Sequence, residues 1–362
     1  MPALPPDSSG SQPPSAMPSG DEGAQPALSA PRSAVRPLAW RTNAWLFAAT
    51  VASVLYTQWD TSKSARVALL GAAQFTGALL AILLAHEFGH YFAARVHKVD
   101  ATLPFFIPLP VLSPFGTMGA VIRMRSVIPT RRALFDIGAA GPLAGLCVAI
   151  PVIWYGLAHS QVSPLVAGGQ QEGNSILYAL LKHAVKGAWL PDGQRDVFLH
   201  PTAWAGWAGL LVTMINLLPI GQLDGGHIAT AYFGNRYNDF ARRLHRLLPL
   251  GAIAVFAWVH HVVRAEAGPG LDPMIATSIA AGAALPWLVW SLLVSILRRA
   301  SGGMNHPPVD DTPLPASRKL LFWVMVVVFV GVFMPVPFRA TLAGTPPPAP
   351  APTAAISASL VP

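Results

Sequence analysis

The stretch AILLAHEFGHYFAA, residues 81–94, sets His86, Glu87 and His90 into an otherwise apolar run. A charged side chain near the middle of a membrane helix costs about 2.5–3.5 kcal/mol on insertion scales, so ionisable groups kept there ordinarily carry function. On a helix the H-E-x-x-H spacing places the two imidazoles one turn apart on one face, where both can bind one metal ion. Glu87 then stands beside that ion, placed to take a proton from a bound water as general base. The pentapeptide turns up by chance in soluble helices. Inside an apolar span, the burial cost of Glu87 removes accidental occurrences.

Catalytic zinc takes three protein ligands and keeps one position open for water. The apolar stretches hold almost no carboxylates. Asp224, in INLLPIGQLDGGH, is the only acid close behind a long apolar run with breakers around it: Pro219, Gly221, Gly225 and Gly226. Broken helices at membrane depth are tolerated where they are buried in protein or line a wet cavity. His227, three residues on, is a rival ligand, which the reading keeps as a supporting group behind the aspartate. His260 and His261 fall toward the opposite face, and His97, His245 and His306 sit in basic loops, where solvation is the expectation.

The elements that must position these residues read as membrane spans. The chain has 362 residues, 53% hydrophobic and 11% charged, with mean hydropathy +0.47. Soluble domains carry about 25% charged residues. The net charge of +8 forms no aromatic-interleaved basic patch, so no nucleic-acid partner is expected. The lone Cys147 excludes an internal disulfide framework and a cysteine-based zinc cluster, and reads as packing. Charge-free runs near the 20 residues a spanning helix needs occur at 42–59, 67–85, 137–158, 201–223, 247–263, 274–297 and 320–338. The expected fold is therefore an all-α polytopic membrane protein of about seven transmembrane helices. With the N-terminus inside, the inner segments hold 17 of the 24 basic residues, the bias expected of cytoplasmic loops. His86 and Asp224 then both lie roughly 30 Å from the outer face along inward-running spans, so they can meet.

Between the second and third spans, ATLPFFIPLPVLSPFG has four prolines in 16 residues and cannot be a helix. TMGAVIRMR after it alternates like a strand. A re-entrant loop or short β-hairpin near the site fits both, and its open edge suits an unwound substrate added as a strand. Arg123, Arg125, Arg131 and Arg132 are expected to anchor the inner interface. The loop at 159–200 is too short for most independent domains. Residues 1–38 and 340–362, rich in Pro, Ser, Gly and Ala, cannot bury enough apolar surface to order themselves and are expected to be disordered, leaving a membrane domain at 39–339. No secretory signal is expected, since no basic residue precedes Arg32.

With both motifs in hand, the chain resembles the site-2 protease family of intramembrane zinc metalloproteases (M50-type). HEFGH and NLLPIGQLDGG carry the resemblance, the second matching that family's N-x-x-P-x-x-x-L-D-G element. FFIPLP, GTMGAVIRMRS, RRALFDIGAAGPLAG and NHPPVDDTPL resemble the branch without a PDZ domain, which includes chloroplast and many bacterial members. The resemblance covers about residues 40–338. It implies one Zn2+ per chain held by His86, His90 and Asp224, Glu87 as catalytic base, and Asn216 helping to hold the substrate backbone. It also implies membrane-protein substrates cleaved in or near their spans, without the size filter a PDZ domain provides. The Ala- and Pro-rich composition points to a bacterial plasma membrane, with the site on the cytoplasmic side. Two rival readings are a membrane zinc transporter, which needs polar groups along a path the other spans do not offer, and an inactive scaffold, which would normally lose a motif residue.

Overall fold

The computed structural model describes residues 39–165, 168–300, 310 and 312–341. Each apolar run expected from the sequence lies on a helix: α1 Ala39–Thr57, α2 Ala65–Val96, α3 Arg131–Ala158, α5 Pro201–Asn216, α7 Tyr237–Ala267, α8 Pro273–Ala300 and α9 Ala316–Val332. Two shorter helices, α4 Ile176–Lys186 and α6 Asp224–Phe233, complete the helical set among the described residues. Local chemistry starts several of them. The Thr130 hydroxyl accepts from Ala133 N at 3.1 Å at the head of α3, and Pro201 occupies the first turn of α5, where its missing N–H costs nothing.

Among the described residues, four helices are long and apolar enough to cross a membrane by length and composition: α2, α3, α7 and residues 273–296 of α8. α5 and α9 have 16 and 17 residues, less than the runs at 201–223 and 320–338 suggested. α5 stops early because the chain turns at Leu217, and α9 stops short of Pro335 and Pro337, which cannot donate to a helix. The core lies where α2, α3 and α5 pack together, with α6 against α3 and α8 against α7. Trp207, Phe75, Phe135 and Met214 are fully buried there.

The chain is mostly helical, as expected, and among the described residues six short strands form three two-stranded antiparallel sheets, two more than the single hairpin expected. β1 (Phe105–Pro108) and β2 (Thr117–Val121) make the hairpin expected between α2 and α3. α1 holds it: Asn43 donates to the carbonyls of Leu103 and Pro104 at 3.1 and 2.8 Å, and Ser53 to that of Gly116 at 2.5 Å.

The segment between α3 and α5 is a folded cap rather than a plain loop. β3 (Gln161–Pro164) pairs with β5 (Arg195–Phe198), and β4 (Gln170–Glu172) with β6 (Phe338–Ala340) from beyond α9. Lys182 of α4 is wholly buried, 2.9 Å from Glu172 Oε1 and 3.0 Å from Asp196 Oδ1, while the Tyr178 hydroxyl donates to Glu172 at 3.1 Å. Burial pushes the Glu172 carboxyl above its ordinary value, against the pull of Lys182. β6 runs through Ala340, and Thr341 N donates to Gly169 O at 2.8 Å. The described residues thus run through Thr341, two beyond the expected boundary at 339. The tails at 1–38 and 342–362, and His306, lie outside the described residues.

Candidate metal centre

α2 presents His86 and His90 one turn apart, 3 and 8% exposed, with Glu87 between them at 5%. The third member comes from a break in the helical path. α5 ends at Asn216, the chain turns through 217–223, and α6 begins at Asp224. Gly221 takes φ +60° in that turn, a region that favours glycine. Tyr237 Oη donates to Pro219 O at 2.5 Å and holds the turn from the start of α7.

The three side chains meet. His86 Nε2 lies 3.2 Å from Asp224 Oδ2 and 3.2 Å from His90 Nε2, and His90 Nε2 lies 3.3 Å from Asp224 Oδ1. Among the described residues they form the one group of three His, Cys, Asp or Glu side chains able to share a metal ion. The donor set fits a divalent cation. His90 Nδ1 donates to the Ile137 carbonyl at 2.7 Å, which leaves its Nε2 as a lone pair facing the centre. Two imidazole nitrogens and a carboxylate then aim acceptor atoms at one buried point, an arrangement a cation satisfies and a hydrogen bond alone does not. The set of two histidines and one carboxylate with an open position suits catalytic zinc. Asn216 Nδ2 lies 3.3 Å from His86 Nε2, so the residue expected to hold substrate borders the centre.

The residues that bring these groups so close lie outside both metal motifs. Gly138, Gly141 and Gly145 lie on the face of α3 turned to the centre. A Cβ at Gly138 would stand 3.0 Å from His227 Cβ and 3.3 Å from Asp224 O, and one at Gly145 would stand 3.2 Å from His86 Nδ1. At Gly141 it would press into the His90 ring itself. The 138, 141, 145 spacing within GAAGPLAG, one helix face, is the signal that was available. Arg131 starts the same helix and donates to Ala231 O at 2.8 Å and Tyr232 O at 2.7 Å, capping the last turn of the helix that Asp224 opens. It was expected at a membrane interface; the free carbonyls ending α6 claim it instead.

Other expectations change with packing. His227 faces Gly138 and is outside the three-residue group. His97, expected to be solvated, pairs with Asp136 Oδ2 at 2.9 Å, and Arg318 of α9 grips the same carboxylate at 3.0 and 3.1 Å. His245 lies on α7, with Nε2 2.9 Å from Ser295 Oγ of α8, because helix packing brings a hydroxyl to it. His260 stacks on Phe256, away from the centre. Cys147 is exposed on α3 rather than packed, since the glycine face of that helix points the other way.

Residues 74–257 match the model of Peptidase family M50, and the chain belongs to that family. The chain is 39% identical over 182 residues to "Probable zinc metalloprotease EGY1, chloroplastic" of Oryza sativa subsp. japonica, covering 48% of this chain and 31% of that protein. It is 30% identical over 269 residues to the protein of the same name from Arabidopsis thaliana, covering 71% and 42%. To "Probable zinc metalloprotease EGY2, chloroplastic" of Arabidopsis thaliana it is 32% identical over 201 residues, covering 53% and 35%. The chain thus spans about a third to two-fifths of the length of these relatives. These chloroplastic plant proteins give the expected bacterial plasma membrane no support. No solved structure matches the chain significantly.

Proposed function

We propose that this protein is a multi-pass membrane zinc metalloprotease that hydrolyses peptide bonds in or near the membrane-spanning segments of protein substrates. The observation that carries the reading is the convergence of His86, His90 and Asp224, from helices 138 residues apart in sequence, on one buried point beside Glu87. These three residues would hold one Zn2+ per chain. When bound, zinc supplies the Lewis acidity that polarises a carbonyl and acidifies water. The Glu87 carboxylate takes the proton from the attacking water and delivers it to the leaving amide nitrogen. The Asn216 amide, beside the centre, donates to the substrate backbone. A helical substrate hides its carbonyls in its own hydrogen bonds, so it unwinds before cleavage; the turn at 217–223 and the edge of the β1–β2 hairpin give the unwound segment a place to lie. In this reading α1, α5 and α9 join the four long apolar helices as seven spans, and the bias of basic residues supports an N-terminus and a site on the side with most of the basic loops. The bilayer and membrane-protein substrates are the partners this reading requires.

The test compares membrane-protein fragments from cells carrying wild-type protein or Glu87→Gln, with zinc content measured in both. Fragments lost in the variant while zinc stays bound are expected. Identical fragments with zinc bound would refute hydrolysis through Glu87 and leave transport or scaffolding.

A further inference from the structure

At the end of α2 remote from the metal centre, a cavity of about 480 Å³ opens between the α1–α2 loop, the first turns of α2 and the cap. Gln170, Gln171 and Glu172, three consecutive residues of β4, all line it. Side chains of a strand alternate between its faces, so a cavity that meets all three runs along the strand's edge. The hydrogen bonds agree. Gly173 N donates to Pro337 O at 2.7 Å and Thr341 N to Gly169 O at 2.8 Å, with Gln171 opposite Arg339 between them. Bonded and non-bonded pairs alternate in an antiparallel ladder, so residues 169, 171 and 173 face β6. The N–H and C=O of Gln170 and Glu172 point the other way, the Glu172 N–H donating to its own carboxylate, and no further strand pairs with β4 among the described residues.

Below this edge the cavity is aromatic, with Phe75 of α2, Trp204 of α5 and Phe338 of β6. Its lining carries two carboxylates, Asp60 and the buried Glu172, and one ammonium, Lys63, which pairs with Asp60 at 3.0 Å. Asp60 is held down to about 2 by the Ser62 hydroxyl and Lys63, so it stays charged. Glu172 shares the single ammonium of Lys182 with Asp196, two acids against one base. A cation brought to such a pair favours the ionised carboxylate.

We propose that this cavity binds an extended stretch of polypeptide flanking a substrate's membrane span, added as a third strand on the β4 edge, with an apolar side chain over Phe75 and Trp204 and a basic one beside Glu172 and Asp60. That the occupant is a substrate rests on the protease reading above. Strand addition supplies affinity through the main chain and selectivity through alternate side chains. His86 follows Phe75 by 11 residues on one helix, about 16 Å at 1.5 Å per residue. A substrate helix that starts at the docked strand therefore meets the metal centre about 11 residues further on.

The test uses the full chain carrying Glu87→Gln, reconstituted in nanodiscs and titrated with a fluorescent peptide, Val-Thr-Lys-Val-Thr, blocked at both ends. Saturable binding is expected. It should weaken at least about tenfold when alternate peptide amides are N-methylated, when the peptide lysine becomes glutamate, and in the Gln170→Pro variant. That substitution removes one outward N–H and none of the β4–β6 bonds; Gln170→Ala should bind as the parent does. Equal binding by the N-methylated peptide and by Gln170→Pro overturns the proposal. So does binding that appears only when the chain is cut after Thr341, since its own tail is then the occupant. Peptide binding with the expected dependences in a protein whose Glu87 form cleaves no membrane substrate keeps the strand-adding cavity and removes the protease reading, so the two failures are distinct.

Discussion

Gly141→Ala adds one methyl group 51 residues from His90, and the geometry says it will act on the metal centre. A Cβ at that position would stand 2.5 Å from His90 Cδ2 and closer still to Cε1 and Nε2, where ordinary contact begins at 3.4 Å. Restoring ordinary contact at Nε2, the nearest ring atom, requires the ring to retreat by more than 1 Å. The ring has nowhere to go without loss. Its Nδ1 is tied to the Ile137 carbonyl at 2.7 Å, and its Nε2 faces His86 and Asp224 at 3.2 and 3.3 Å. A misplacement of about 1 Å at a reacting centre costs about 10²-fold in rate, and overpacking a tight interior costs about 1–3 kcal/mol in stability.

The assay is zinc retention against a chelator together with cleavage of a membrane substrate, run on three glycine-to-alanine variants of the same chemistry. Gly141→Ala should lose both, with activity down about a hundredfold. Gly145→Ala, whose Cβ would stand 3.2 Å from His86 Cβ and Nδ1, needs a shift of only a few tenths of an ångström and should lose less. Gly77→Ala, on α2 with nothing within 4 Å of the added carbon, should behave as wild type or gain slightly from better helix propensity. A Gly141→Ala protein that keeps zinc and activity like Gly77→Ala would refute the argument that the face of α3 is made of glycine to admit the histidines.

Two further outcomes follow from side chains away from the motifs. Arg131→Lys keeps the charge but loses the planar fork that reaches both Ala231 O and Tyr232 O; with the end of α6 uncapped, zinc affinity should fall by about ten- to a hundredfold through Asp224, and an unchanged affinity in competition with a chelator would count against that coupling. In the cap, Glu172 is raised by burial despite Lys182, with Asp196 and the Tyr178 hydroxyl also facing it. A carboxyl raised on folding contributes stability below its ordinary value of 4.5 that is lost as pH rises through its folded value. Amide exchange over residues 168–200, corrected for intrinsic rates, should therefore speed up with rising pH in wild type and much less in Glu172→Gln; parallel profiles would contradict the assignment.

What the sequence made legible was whatever depends on spacing along one element. Seven apolar runs became helices, the proline-rich stretch became a hairpin, and HEFGH and the aspartate of LDGG marked the two halves of one site before any geometry was known. The parts that stayed hidden depend on partners far away in the chain. His97 looked solvated because its acid, Asp136, lies 39 residues on, and His245 because its hydroxyl lies 50 residues on. The cap at 159–200 looked like a loop because its second sheet is completed by β6, from beyond α9, and because an alternation of three residues is too short to read as a strand.

The glycines of α3 show why the metal motifs alone do not make the centre. Two histidines on a helix and an aspartate at a helix start are local facts, but bringing their ligand atoms within 3.3 Å needs α2 and α6 to approach a third helix more closely than any side chain allows. α3 meets that need with hydrogen atoms at 138, 141 and 145, with the Ile137 carbonyl that fixes the His90 tautomer, and with the Arg131 fork that holds the far end of α6. One seven-residue stretch, from Arg131 to Ile137, thus aligns a ligand on each of the other two helices. The candidate centre is a property of three helices, and the one that brings no histidine or carboxylate to it sets the distance between the two that do.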